Sequence, residues 1–271
     1  MKQHPEFHYT LNDFVQALER IGISRGDVVF CHSNVGFFGL AEGARRKEDH
    51  CALILKGFRE VLGSEGTLVV PTFTYSFPAG NEFNVQKTPS NCGVFTEFVR
   101  QTKGALRSVD PNVSVAAIGG RAEELTCNAP VNAYSPLGFF GRFETAAGKI
   151  CNLNFDAGST YIHYVERCLR VPYRFDKSFQ GIVTDGAQRK QREATIWVRY
   201  VSSSDTVADF IPFSRLAGER GISRTAQVGR GQVLCIGAKE TRDLIQETLP
   251  TRPWLLTLAD SSGTIPELLP E

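Results

Sequence analysis

The stretch Lys47-Glu-Asp-His-Cys-Ala-Leu-Ile-Leu-Lys-Gly-Phe-Arg-Glu-Val-Leu62-Gly63, with Thr67-Leu-Val-Val-Pro71 after it, decides the fold. Its apolar residues fall near 51, 54, 55, 58, 61 and 62, the spacing of one helix face. Gly63 ends that helix, and the apolar run Thr67–Val70 reads as a strand stopped by Pro71. Upstream, Gly26-Asp27 turns the chain into a second apolar run, Val28–Phe30. Before it, Tyr9–Leu18 has helical spacing, with Thr10 as N-cap ahead of Asp13. Helix and apolar strand alternating in this way predict an α/β fold, with a mixed, largely parallel central sheet flanked by helices.

Downstream the pattern continues and then changes. Gly93–Arg100 reads as a helix, Val113–Ile118 as a strand, Arg121–Cys127 as a short helix and Ile150–Phe155 as a strand. After Tyr173, Arg192–Val201 alternates like a half-exposed antiparallel strand, Gln232–Ile236 is another, and Ala238–Leu249 is a closing helix. No repeat, low-complexity tract or linker divides the chain. One domain over residues 1–271 is expected, with residues about 176–235 as a more irregular antiparallel part.

Composition excludes several function classes. A formal net charge of +1 gives no strong pull toward nucleic acid or an anionic membrane. The apolar runs are strand-length, too short to span a bilayer. Met1-Lys-Gln-His-Pro-Glu6 lacks the apolar core of a secretory signal. The cysteines at 31, 51, 92, 127, 151, 168 and 235 form no CxxC pair and are odd in number, which reads as reduced thiols rather than a disulfide frame or a metal site. A cytoplasmic protein is expected, and a homodimer is a possible assembly.

The richest segment for chemistry is Asn154-Phe-Asp-Ala-Gly-Ser-Thr-Tyr-Ile-His-Tyr-Val-Glu166. Asp156, Gly158, Ser159 and Thr160 are turn and cap residues, so a strand gives way to a helix here. His163 and Glu166, three apart, share a helix face and could form a general base with its orienting carboxylate. The competing reading is a satisfied, partly buried histidine beside a solvated glutamate. Three loops at strand ends add candidates. Cys31-His-Ser-Asn-Val-Gly-Phe-Phe-Gly39 would expose backbone N–H groups to an anion or a thioester carbonyl, although its glycines match no nucleotide-binding spacing. Pro71–Phe77, dense in hydroxyls and rings, suits a sugar. In Arg107–Ala117, Asp110 and Ser114 flank a turn fixed by Pro111.

Taken together these segments resemble the aminoglycoside 3-N-acetyltransferase family, in a divergent branch. The resemblance rests on Gly22–Ser33, Gly66–Thr74, Thr88-Pro-Ser-Asn-Cys-Gly93, Ser114–Gly119, Ser135-Pro-Leu-Gly138, Gly148-Lys149 and Thr160–Glu166, in that order. It covers roughly residues 9 to 175 well and the last third loosely. It implies acetyl-CoA as co-substrate and no metal. His32, Ser33, Asn34, Val35, Gly36 and Phe37 match the loop that cradles CoA, and Ser114 and Val115 match the adjoining channel wall. Thr72, Thr74 and Tyr75 match the acceptor-side loop, where Glu82 is the one carboxylate, and His163 and Glu166 match the helix-borne pair.

The family pattern His-Pro-x-His before Ser-Val-Ala-Ala reads Asp110-Pro-Asn-Val113 here. Val113 cannot move a proton, which leaves Asp110, His32 and His163 as candidates, His163 with Glu166 as base and Asp110 holding the incoming ammonium. The scarcity of carboxylates and the run Val171-Pro-Tyr-Arg174 point to a CoA-thioester-dependent N-acyltransferase whose small-molecule acceptor is an amino sugar of bacterial surface-polysaccharide or related sugar biosynthesis. The alternatives are an aminoglycoside 3-N-acetyltransferase conferring resistance and a CoA-binding homologue without activity. A thiol hydrolase built on Cys31 and His32 is disfavoured, because neighbours on a strand point to opposite faces.

Overall fold

Residues 7–266 are described by a computed structural model; the reading of Met1–Glu6 lies outside the described residues. In chain order the helices are α1 (Leu11–Arg20), α2 (Lys47–Leu62), α3 (Val94–Gln101), α4 (Ala122–Thr126), α5 (Phe139–Thr145), α6 (Tyr161–Leu169), α7 (Ile211–Glu219), α8 (Ala238–Thr248) and α9 (Leu258–Ser262). The strands are β1 (Val28–Ser33), β2 (Thr67–Pro71), β3 (Phe83–Asn84), β4 (Leu106–Arg107), β5 (Val115–Gly119), β6 (Lys149–Leu153), β7 (Arg174–Asp185), β8 (Gln188–Arg199), β9 (Ser223–Val228) and β10 (Gly231–Gly237).

Local chemistry sets the first unit. Thr10 Oγ1 accepts from Asp13 N (3.1 Å) while Asp13 Oδ2 accepts from Thr10 N (2.9 Å), a reciprocal cap that opens α1. α2 buries Cys51, Ile54, Leu55, Phe58, Val61 and Leu62, and Gly63 turns out of it at φ 65, where a side chain would be strained. β1 and β2 are then parallel, with Val28 opposite Thr67.

The main sheet runs β4-β5-β2-β1-β6-β10-β9. Only β2-β1-β6 is parallel; the other four of its six pairings are antiparallel, which corrects the expectation of a largely parallel sheet. The cause lies in connection length. Gly229-Arg230 joins β9 to β10 with Gly229 at φ 55, and a two-residue turn can only build a hairpin. The segment expected to be irregular holds a regular hairpin, β7 with β8, paired from Arg174↔Arg199 to Asp185↔Gln188 and flanked by β3 in a second sheet.

Alternation along β1 sorts the core. Val28 and Phe30 face one cluster with Phe139, Phe140, Phe143 and Tyr161; Val29 and Cys31 face the other with Phe14, Leu18 and Phe58. Cys31, Cys151 and Cys235 stand opposite one another across β1, β6 and β10, all buried. The hairpin joins the first cluster through Ile196, Trp197 and Val198. Among the described residues, no helix is long and apolar enough to cross a membrane.

Candidate functional site

β1 places His32 on the face of Phe30, whose ring centroid lies 4.5 Å from the imidazole, and so toward α5 and α6. Beside it, β6 leads into the turn that starts α6. Asn154 takes the left-handed conformation (φ 61) and is pinned twice, its Nδ2 donating to Asn34 O (2.8 Å) and its Oδ1 accepting from Gln232 N (2.9 Å). Asn152 Nδ2 donates to Gly158 O (2.7 Å), and Asp156 Oδ1 accepts from Gly158 N (2.7 Å). Ser159 Oγ accepts from Tyr161 N (3.2 Å), which ties this turn to the start of α6. A Cβ on Gly158 would stand 2.6 Å from Phe210 Cδ2, so the bare glycine lets Phe210 close on this turn.

His163 and Glu166 come together as the spacing predicts. His163 Nδ1 lies 2.6 Å from Glu166 Oε2, and the glutamate is wholly buried. The solvated-glutamate reading therefore fails. Tyr173 OH donates to Glu166 Oε1 (3.0 Å), and Arg174 Nε lies 3.0 Å from Oε2. The His163 ring packs on Phe210 at 5.6 Å and edge-on to Tyr134 at 6.3 Å. Burial pulls the imidazole below its ordinary value, with the Arg174 charge adding to this, while Glu166 opposes. Burial alone would raise Glu166, but Arg174 and His163 hold its carboxyl below the usual range. Among the described residues His163 Nε2 has no protein partner, and 18% of the side chain is exposed. The arrangement presents one neutral imidazole nitrogen that can accept a proton.

His32 differs. Ser159 Oγ lies 3.0 Å from its Nε2, and Thr160 N donates to the same nitrogen (3.3 Å). Nε2 is therefore an occupied acceptor and the proton sits on Nδ1, which is buried without a partner. Burial pulls this imidazole down to about 4. As a proton-transfer candidate His32 is corrected: its basic nitrogen is already engaged. Cys31 lies on the opposite face, in the other core cluster, so the hydrolase pairing fails too.

His32 and Ser33 line a cavity of about 320 Å³ with Pro71, Cys92, Ser159 and Phe210. Ser33 Oγ, like His32 Nδ1, is buried and unpartnered. Phe155 and Asp156 join this cavity to an open groove of about 640 Å³ that includes Phe37, Asn154 and Arg230. Val35–Phe38 is one turn of 3₁₀ helix, with Val35 buried, Gly36 in open space and the Phe37 ring 64% exposed at the groove. Asn34 contributes its carbonyl to Asn154.

Several expected contacts are corrected. Ser114 and Val115 are wholly buried; Ser114 Oγ donates to Thr72 O (2.7 Å), and Arg107 Nε donates to Ser114 Oγ and Thr72 Oγ1 (3.2 Å each). Ser114 and Thr72 therefore tie β5 to β2 rather than facing a ligand. Thr74 Oγ1 donates to Pro111 O (2.8 Å) inside the same layer. Tyr75 alone of that loop keeps an exposed ring, 46%, at φ 49. Asp110 Oδ1 accepts from Asn112 N (2.8 Å) and Val113 N (2.9 Å), so it caps its own turn, while burial raises its carboxyl. Val113 is a core residue. Glu82 binds Thr184 and Arg189 (3.0 Å) at the tip of the β7–β8 hairpin. Arg174, against Glu166, is ten residues back along β7, roughly 30 Å at about 3.3 Å per residue. Glu82 is not beside the His163 pair.

Tyr173, Arg174, Phe210, Ser159 and Tyr134 complete the site without being among the residues the sequence singles out for it. For Tyr173 and Arg174 the only local signal is Pro172 in Val171-Pro-Tyr-Arg174, which marks where the chain leaves the helix but not where it goes next.

Residues 30–250 match the family model described as aminoglycoside 3-N-acetyltransferase. The chain is similar to aminoglycoside N(3)-acetyltransferase VIII of Streptomyces fradiae, 24% identical over 83% of this chain and 86% of that protein. It is 23% identical to aminoglycoside N(3)-acetyltransferase IV of Salmonella sp, over 90% and 87%. Among solved structures it resembles a variant of aminoglycoside acetyltransferase AAC(3)-IVa in complex with a gentamicin, at TM-score 0.77 and 19% identity over 97% of this chain and 96% of that one. It also resembles AAC-IIIb in binary complex with CoASH, at TM-score 0.75 and 21% identity over 89% and 96%. At these identities the structural likeness is one of fold.

Proposed function

We propose that this chain, which belongs to the aminoglycoside 3-N-acetyltransferase family, acetylates an amino group of an aminoglycoside, with His163 as the general base. It is an acetyl-CoA:amine N-acetyltransferase; acetyl-CoA is its co-substrate. The observation that carries the assignment of the base is the 2.6 Å contact between His163 Nδ1 and the buried Glu166, which leaves Nε2 as the proton acceptor. Acetyl transfer forms an N–C bond and breaks the C–S bond of the thioester. The attacking amine loses a proton to Nε2, and Glu166 stabilises the imidazolium until that proton passes to the departing sulfur. Holding both substrates together replaces a covalent intermediate, a gain of about 7 kcal/mol or more in well-oriented systems.

The donor reading is supported by the cavity at the end of β1. Its lining of Pro71, Phe155 and Phe210 suits the chain of a pantetheine arm, and Arg230 in the adjoining groove suits a phosphate. Both sheets form one unit on this reading, since the hairpin shares a core cluster with α5 and α6.

For the acceptor, the relatives named above favour an aminoglycoside over the surface-polysaccharide sugar expected from the sequence. A mono-amino sugar stays as a second reading on one observation: Glu82 sits at the hairpin tip, and the carboxylate nearest the base, Glu166, is already committed. Thiol release from acetyl-CoA, followed over a panel of aminoglycosides and mono-amino sugars, tests both. Turnover with gentamicin-like acceptors is expected. Turnover only with mono-amino sugars would transfer the assignment to the second reading, and none with either would remove the enzyme.

A further inference from the structure

Glu166 holds more than the imidazole. Arg170 takes the left-handed conformation (φ 54) at the end of α6, Val171 N donates to Glu166 O (3.1 Å), and Pro172 follows. The chain doubles back and delivers Tyr173 and Arg174 to the helix turn that carries the pair. Tyr173 OH takes Oε1 at 3.0 Å, while Arg174 Nε stands 3.0 Å from Oε2, the oxygen already bound to His163. Arg174 Nε is not aligned for a hydrogen bond there, so the guanidinium acts on this oxygen as a charge rather than as a fork. Glu166 and Tyr173 are fully buried, and Arg174 nearly so. A buried ion pair is a poor stabiliser in itself, because desolvation offsets the attraction. An arginine at this spot calls for a reason beyond stability.

We propose that Tyr173 and Arg174 are positioning residues for the base: Tyr173 fixes the rotamer of Glu166 against His163 Nδ1, and the Arg174 charge keeps the imidazole neutral until the amine gives up its proton. This deepens the assignment of His163 as base and rests on it. A carboxylate alone would favour the imidazolium, leaving the base already protonated over a wider pH range. A cation on the same oxygen offsets that pull without taking away the orienting bond. The groups facing His163 are Glu166 from its own helix, Arg174 from β7, the Tyr134 ring from the loop before α5 and Phe210 from the end of the loop before α7. Tyr75 and Asp110 act on Tyr134, one shell further out.

The test combines an imidazole NMR titration with the pH profile of kcat/KM in the full chain, for wild type, Arg174→Met, Arg174→Lys and Tyr173→Phe. The chain has five histidines, and His163→Ala identifies the relevant signal by its loss. In Arg174→Met the His163 titration should rise by about one pH unit, and the acid limb of kcat/KM should move up with it. Arg174→Lys should restore both, because the charge matters and the fork does not. Tyr173→Phe should lower kcat roughly three- to tenfold with the titration in place, from one lost hydrogen bond to a charged group. If folded Arg174→Met leaves His163 titrating as in wild type while only its melting temperature falls, the pair is merely structural and the proposal is overturned. If the titration moves and the acid limb does not, His163 is not the base; that failure is distinct and overturns the reading beneath.

Discussion

Two histidines lie at the ends of neighbouring parallel strands, and they have opposite chemistry. His32, at the end of β1, meets a hydroxyl and a backbone N–H on Nε2, and burial drops it to about 4. His163, one turn into the helix that follows β6, meets a carboxylate on Nδ1 and keeps Nε2 open. Both are half-buried and burial lowers both imidazoles, so burial does not separate their roles. The partner decides: two donors occupy the nitrogen that would take a proton in His32, whereas an acceptor in His163 fixes the tautomer and leaves the other nitrogen basic. One imidazole is a structural acceptor at a helix start, the other a proton acceptor.

The strongest attempt to break this contrast is removal of the base. His163→Ala should lower kcat by about 10²-fold or more with little change in CoA affinity, measured by steady-state kinetics and calorimetry. Equal losses in His32→Ala and His163→Ala would erase the distinction. Next in size is an acid effect carried by His32. Its folded value near 4 lies below the unfolded 6.5, so the unfolded chain binds the extra proton between them. Stability should be unaffected by this group above about pH 6.5 and fall by roughly 3 kcal/mol as pH drops toward 4. Denaturant titrations at pH 7 and 4.5 check it, and His32→Gln should flatten the difference. His163 lies below 6.5 as well, so kcat/KM should hold as pH falls to 6.5 and decline only beneath it.

A third effect sharpens the contrast at the ring contact that closes over His163. Gly158→Ala puts a Cβ 2.6 Å from Phe210 and 2.7 Å from Asp156 Oδ1, which displaces the ring packed on the imidazole. A stability loss of about 1–3 kcal/mol is expected from such overpacking. With it should come a kcat loss that His32→Gln does not share. The smallest effect serves as control: Glu82→Gln breaks an exposed pair with Arg189 and should leave the melting temperature and the acceptor KM unchanged. A large rise in KM would return Glu82 to the acceptor site.

The α/β alternation was legible because α1, α2, β1 and β2 each bury one clean face, so their apolar spacing tells the period directly. β7 was not. Lys177 interrupts its alternation, and Gly181 has no side chain because Phe77 lies where its Cβ would be, 2.7 Å away. The sheet's direction was misjudged for a related reason: apolar runs show burial, but only connection length separates parallel from antiparallel. In the site, His163 and Glu166 were visible because three residues on one helix fix their proximity. Arg174 meets them only through a chain reversal, and Phe210 through a contact some 47 residues away in sequence, neither of which a local pattern encodes. The hydroxyls of Thr72 and Ser114 were misread for the opposite reason. Residue type suggested a ligand, but each hydroxyl finds its partner across the β2–β5 pairing.

The row of Cys31, Cys151 and Cys235 across three adjacent strands bears on handling rather than catalysis. All three sulfurs are sealed in the core, and burial holds the Cys151 and Cys235 thiols well above their ordinary range, so air and alkylating reagents do not reach this row in the intact fold, whereas Cys168 is exposed. Unfolding releases them together, along with four further thiols. Wrong crosslinks then compete with return to the native state. Recovery from heat should depend on added reductant, and without it the apparent melting point should drift with scan rate, a measure of lifetime rather than of equilibrium.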